Sequence, residues 1–238
     1  MSDELTWINH LSFGDTGWGD ELLFGALTTL QLALAASIAG VLFGIILAGM
    51  KLSSWRILSW SSQGYITLIR GTPEFLVMLI VFFGLSDAVF AISNALQLGI
   101  EVDIPKFLAA FVGLAMIFGA YSAEVFRGAY LSIPKGQFEA AKALGLTPFQ
   151  SFRTVILPQV WRYAVPGLGN LWMVLLKDTS LAAVIAFDEL LRVSKVASET
   201  TRDPLTFYLA AGIIYLAMTG LSDIGRHYLE RSARRGIS

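Results

Sequence analysis

Few side chains in this chain of 238 residues have the types and spacing for chemistry, and those that do are charged rather than nucleophilic. Cysteine is absent, which excludes disulfides and thiolate metal sites. The two histidines, His10 and His227, stand too far apart for metal-ligand spacing. Each reads as a solvated or headgroup-level side chain. No G-x-x-x-x-G-K-[ST], HExxH or GxSxG occurs, so the residues offer no Walker-type phosphate cradle and no hydrolase signature. What remains is charge set in apolar sequence. Lys177 and Asp178 fall inside an otherwise Leu-, Val-, Met- and Ala-rich run. Charges in such runs are expensive and mark a pathway or a buried pair. Adjacent residues point about 100° apart on a helix, so these two face different partners. An unpaired carboxylate at Asp178 would seek a cation; a helix-packing role for the pair stands beside that reading. Glu124 and Arg127 are spaced i, i+3 and face each other on a helix. They read first as a structural ion pair near a membrane boundary and second as a substrate or gating pair.

The elements that must position these groups are membrane helices. The chain is 55% hydrophobic and 15% charged, against about 25% charged in ordinary soluble domains, and its mean hydropathy is +0.64. A net charge of −1 gives no reason to expect nucleic acid. A spanning helix needs about 20 mostly apolar residues, and residues 22–50, 107–125, 163–184 and 207–224 each approach or exceed that. The stretch 57–98 is interrupted by Arg70, Pro73 and Glu74 and holds one span or two.

Orientation decides the count, because basic residues mark the cytoplasmic side. Residues 51–70, 127–162 and 226–238 hold 12 Lys and Arg and two acids, whereas 1–21, 86–106 and 186–204 hold four and 12. Keeping the first set on one side requires a single span within 57–98, near residues 71–91. The expectation is an all-α integral membrane protein of five helices, with residues 1–21 outside and a basic tail, 226–238, inside. The amino terminus carries Asp3 and Glu4 and no basic residue before Lys51, unlike a cleavable signal peptide. Its Trp7, Ile8, Leu11, Phe13 and Trp18 form either an interfacial segment or a short ordered tail.

Residues 139–158, EAAKALGLTPFQSFRTVILP, break the membrane-like pattern with polar sequence and strict local punctuation. Ser132 is an expected N-cap and Pro134 a first-turn residue. The helix they open would pass through Glu139, Ala140, Ala141 and Lys142 and stop at Gly145, which tolerates a left-handed cap. Thr147, Pro148 and Gln150 fit a second start of the capping-box kind. That helix would carry Phe149, Phe152, Val155 and Ile156 on one side and end before Pro158.

This loop resembles the EAA loop of bacterial ABC-importer permeases: Glu139, Ala140, Ala141, Gly145, Leu157 and Pro158 fall in register, with Val155 in the isoleucine slot. The segments Arg70-Gly71-Thr72-Pro73, Tyr121 to Gly128, and Lys177-Asp178-Thr179-Ser180 resemble polar amino-acid permeases, among them those for histidine, arginine and opines. The resemblance covers the chain from about Leu22 to the basic tail. It implies a transmembrane domain over residues 22–225 with the EAA loop between helices 3 and 4, in the bacterial inner membrane. The implied partners are a cytoplasmic ATPase dimer, a second permease subunit (identical or related) and an extracytoplasmic solute-binding protein. ATP and magnesium would bind the ATPases, and this chain would carry no cofactor. The implied role of the six EAA-loop residues is ATPase coupling, and Asp178, Lys177 and Glu124, as charges in or beside apolar spans, are the candidates for the substrate pathway. An ion-gradient-driven secondary transporter, which should show inverted repeats, and an integral-membrane enzyme are the competing classes.

Overall fold

The protein is described by a computed structural model over residues 9–14, 17–96 and 104–234; Trp7 and Ile8 of the amino-terminal segment and the last four residues of the basic tail lie outside it. All regular structure among these residues is helical. Counting from Gly19, the α-helices are α1 (Gly19–Leu52), α2 (Arg56–Gly71), α3 (Glu74–Ala95), α4 (Lys106–Leu131), α5 (Lys135–Ala143), α6 (Pro148–Ser151), α7 (Leu157–Asp178), α8 (Leu190–Thr201) and α9 (Pro204–Arg234). A π-helical turn, Phe152–Ile156, joins α6 to α7, and a 3-10 segment, Thr179–Ile185, follows α7.

Five helical stretches are long and apolar enough to cross a membrane: Gly19–Leu52, Glu74–Ala95, Lys106–Leu131, Pro148–Ile185 and Pro204–Ser232. The single span expected within 57–98 is α3. Its predecessor α2 has 16 residues, about 24 Å of helix, short of the roughly 30 Å hydrocarbon layer. α1 carries Asp20 and Glu21 in its first turn and Lys51 in its last, the charge order that the helix dipole favours. Its Leu34, Ile38, Leu42, Ile45 and Ile46 are exposed, as befits a surface that meets lipid or another membrane subunit.

The packing falls into two compact units, each assembled from discontinuous stretches. The first comprises residues to Ala36, Pro73–Leu114 and Leu175–Gly220. Phe207 is fully buried in it. His10 stacks on that ring with centroids 6.0 Å apart, and Trp18 meets it edge-on at 6.4 Å. His10 Nδ1 also lies 3.2 Å from Asp203 Oδ2. This histidine, expected as a solvated or headgroup-level side chain, is part-buried, because a distant aromatic and a distant carboxylate share its position.

The second unit comprises Ser37–Thr72, Ala115–Val174 and residues from Leu221. Here α1 and α4 approach through glycines. A β-carbon on Gly44 would stand 2.6 Å from Ser122 Cβ, and one on Gly40 2.8 Å from Phe118 Cδ1. Membrane helices lack a hydrophobic drive toward each other and associate through such close backbone contact. Gly167 and Gly169 serve the same end, facing Val125 and the Arg226 side chain. The core around them contains Leu47, Ile66, Phe126, Ile133, Ile156 and Val160.

Candidate functional site

The polar loop forms on the second unit, and its local geometry follows its punctuation. Gly145 has φ +72°. Its N–H donates to Lys142 O at 3.0 Å, while Leu146 N–H reaches Ala141 O at 3.1 Å. Together these bonds make a Schellman cap on α5. Thr147 then opens α6: Gln150 N–H donates to Thr147 Oγ1 at 3.3 Å, and Thr147 N–H donates to Gln150 Oε1 at 2.9 Å. The expected capping box is present in both directions.

Two expectations for the loop are corrected. Ser132 does not cap α5. Its hydroxyl donates to Gly128 O at 2.8 Å, closing the end of α4, and Pro134 is the N-cap itself. The second helix does not stop before Pro158 either. At the π turn the Leu157 N–H bonds Phe152 O, five residues back, and the chain continues as α7, with Pro158 at its second position and Pro166 inside it. Proline is tolerated in a first turn, so here it marks a register change rather than an end. Of the four residues expected on one side, Ile156 is buried, Val155 is half-buried, and Phe149 and Phe152 are 70% and 47% exposed.

The loop is anchored from beneath and open above. Ile133 and Ala141 are buried, Phe138 meets Tyr130 edge-on at 5.8 Å, and Gln159 Nε2 donates to Gln137 Oε1 at 3.2 Å. Glu139, Ala140, Leu144, Gly145, Leu157 and Pro158 are exposed. A carboxylate and an apolar rim thus stand on a helix pair capped at Gly145 and Thr147.

The same unit carries a charge cluster. Glu124 accepts from Arg127 Nε and Nη2 at 3.1 and 2.9 Å, as the spacing predicted. Its other oxygen pairs with Lys51, a partner that sequence spacing did not reveal because it lies on α1. On the first unit, Asp178 is half-buried at the end of α7 and Lys177 is exposed. No salt bridge joins them among the described residues. The charged groups that act on Asp178 are Glu74, at the start of α3, and Lys177.

Glu189, which sequence reasoning passed over, is fully buried. Its Oε1 accepts from Arg192 N–H at 2.8 Å, and its Oε2 accepts from Leu191 N–H and Tyr215 O–H, both at 2.9 Å. Beside it Leu190 N–H donates to Thr29 Oγ1 at 3.2 Å. Burial pushes the Glu189 carboxyl above its ordinary range, against the pull of these donors. The local signal was weak: the second of two adjacent acids, Asp188 and Glu189, before an apolar pair, with its remaining partners on α1 and α9.

A profile of the family described as "Binding-protein-dependent transport system inner membrane component" matches residues 40–235. The chain belongs to this family. It is 39% identical to the histidine/lysine/arginine/ornithine transport system permease of Escherichia coli strain K12, across 93% of this chain and 96% of the relative. The nopaline transport system permease of Agrobacterium fabrum is 40% identical, across 95% and 97%. The octopine transport system permease of Rhizobium radiobacter is 36% identical, across 95% and 96%. Among solved structures, an amino acid ABC transporter crystallised with histidines superposes with a TM-score of 0.81 at 31% identity, covering 98% of this chain and 99% of that one. The MetNI methionine ABC transporter shares the fold, with a TM-score of 0.74 at 16% identity, covering 99% of this chain and all of that one. The chain is thus a multi-pass, inner-membrane permease subunit of an ABC importer. Nothing in these comparisons favours a gradient-driven transporter.

Proposed function

We propose that this subunit carries polar amino acids, basic ones or opines foremost, across the bacterial inner membrane, driven by ATP hydrolysed on separate chains. The observation that carries the coupling half of this reading is the exposed helix pair capped at Gly145 and Thr147. Its exposed Glu139, Ala140, Gly145, Leu157 and Pro158, with Ala141 buried beneath, would dock in a cytoplasmic ATPase dimer that holds ATP and magnesium. A second permease subunit, identical or related, and an extracytoplasmic solute-binding protein complete the assembly. Basic-residue asymmetry supports an amino terminus outside and both the loop and the carboxy terminus inside. An impermeant thiol reagent on intact spheroplasts should label Ser12→Cys and spare Ser151→Cys; labelling at the second position would overturn this orientation.

The substrate half of the reading rests on the relatives' printed substrates and on Asp178. A half-buried carboxylate that lacks a salt bridge suits the cationic group of such solutes. Losing one charge-assisted contact costs about 1.5–3 kcal/mol, or roughly 10- to 150-fold in affinity. Proteoliposomes holding the full complex, offered a panel of amino acids and opines, should accumulate the basic members when ATP is supplied. Asp178→Asn should weaken their apparent affinity in intact complex, and an unchanged affinity would remove Asp178 from the site.

A further inference from the structure

Polar groups of α1, α2 and α4 in the second unit line one cavity. α2 buries Ser62, Ile66 and Ile69 and leaves Gln63, Thr67 and Arg70 exposed. Those three are spaced i, i+4, i+7, the signature of a single helical face. Gln63 Nε2 donates to Thr67 Oγ1 at 2.8 Å, which joins two of them into one polar stripe. With Lys51, Tyr121 and Glu124 the stripe lines a cavity of about 450 Å³, inside the roughly 300–1,000 Å³ range of small-molecule sites.

The charges lining this cavity are not equivalent. Glu124 is engaged on both oxygens, by Lys51 on one and Arg127 on the other. No carboxylate stands within salt-bridge distance of Arg70 among the described residues. Its guanidinium instead rests over the Tyr121 ring, 5.2 Å from the centroid. An aromatic face attracts a cation without consuming its N–H donors, and a guanidinium presents those donors as a planar fork that fits a carboxylate bidentately. Two cations and one carboxylate line the cavity, so one positive charge awaits an anion.

The geometry points to Arg70 as the carboxylate-binding residue of a second solute subsite, one that takes a free α-amino acid by its carboxylate end. This rests on the amino-acid import reading and adds to it a recognition element of opposite sign to Asp178, on the other unit. A zwitterion suits the lining better than a purely anionic headgroup does, because the Glu124 carboxylate shares the cavity. A basic side chain would find Lys51 there, so the subsite holds its occupant weakly, as a point of passage must.

The test uses purified permease–ATPase complex, without binding protein, in phosphatidylcholine nanodiscs. The complex is titrated with L-arginine and with agmatine, which is arginine lacking the carboxylate. Wild type should prefer L-arginine. Arg70→Ala should lower L-arginine affinity about tenfold or more and leave agmatine unchanged, abolishing the preference. Arg70→Lys keeps the charge but not the fork and should restore only part of it. A complex bearing Arg70→Ala or Arg70→Lys that retains the full preference overturns the subsite. So does loss of the wild-type preference once phosphatidylglycerol is added, since a lipid phosphate would then own Arg70. Failure of the import reading looks different: wild-type complex with its binding protein would import no amino acid, overturning both.

Discussion

Two helix starts in this molecule solve the same problem in opposite ways. At Thr147 the orphan N–H groups of α6 are met by residues within three positions, on an exposed loop of the second unit. At Glu189 the start of α8 is met by a fully buried carboxylate that also holds Tyr215 of α9, while Leu190 N–H goes to Thr29 of α1. The first cap is a local device and fixes only its own loop. The second ties three helices of the first unit together at one carboxylate and its neighbour. Water can replace a lost partner at the exposed cap; at the buried one nothing can, so the energetic consequences differ.

That difference sets an order of effects. Glu189→Ala should be the most damaging change, because it strands Leu191 N–H, Arg192 N–H and Tyr215 O–H. Each unsatisfied buried group costs about 1–3 kcal/mol, and thermal unfolding of the detergent-solubilised complex should show the loss. Glu189→Gln keeps a carbonyl acceptor and should fall between that variant and wild type. Thr147→Ala should cost only about 1 kcal/mol, the usual worth of an N-cap, and leave unfolding of the membrane core unchanged. Equal losses at Glu189 and Thr147 would erase the distinction. The smallest effect concerns pH. Burial raises the Glu189 carboxyl above its ordinary value of 4.5, so the folded chain holds this proton more tightly than the unfolded chain. The associated stability is fully present below the ordinary value and is lost as pH rises through the raised one. Glu189→Gln should flatten that slope.

The same contrast explains what the sequence made legible. Five spans, the left-handed Gly145, the Thr147–Gln150 box and the Glu124–Arg127 pair were all readable because each depends on composition or on residues within one or two turns. The Lys51–Glu124 pair, the place of His10 against Phe207 and the Glu189 node were not, since their partners are brought near only by packing of separate helices. The errors in the loop have a related cause. By type Pro158 signals a stop, but the preceding π turn shifts the hydrogen-bond register and lets α7 proceed. Ser132 was read as a cap for the helix ahead, whereas its hydroxyl bonds the helix behind. Residue type announces that a helix boundary is near without saying which helix the side chain serves.

The exposed loop is proposed to transmit the ATPase cycle to these membrane helices. The most direct measurement is ATP-driven uptake by proteoliposomes whose complex carries Glu139→Lys, with assembly checked by co-purification of the ATPase. Glu139 is exposed on α5, so reversing its charge should leave the five spans folded. The expected result is an inserted permease that either loses its ATPase or retains it, with uptake falling at least tenfold in both cases. Wild-type uptake by an assembled Glu139→Lys complex would contradict the coupling role.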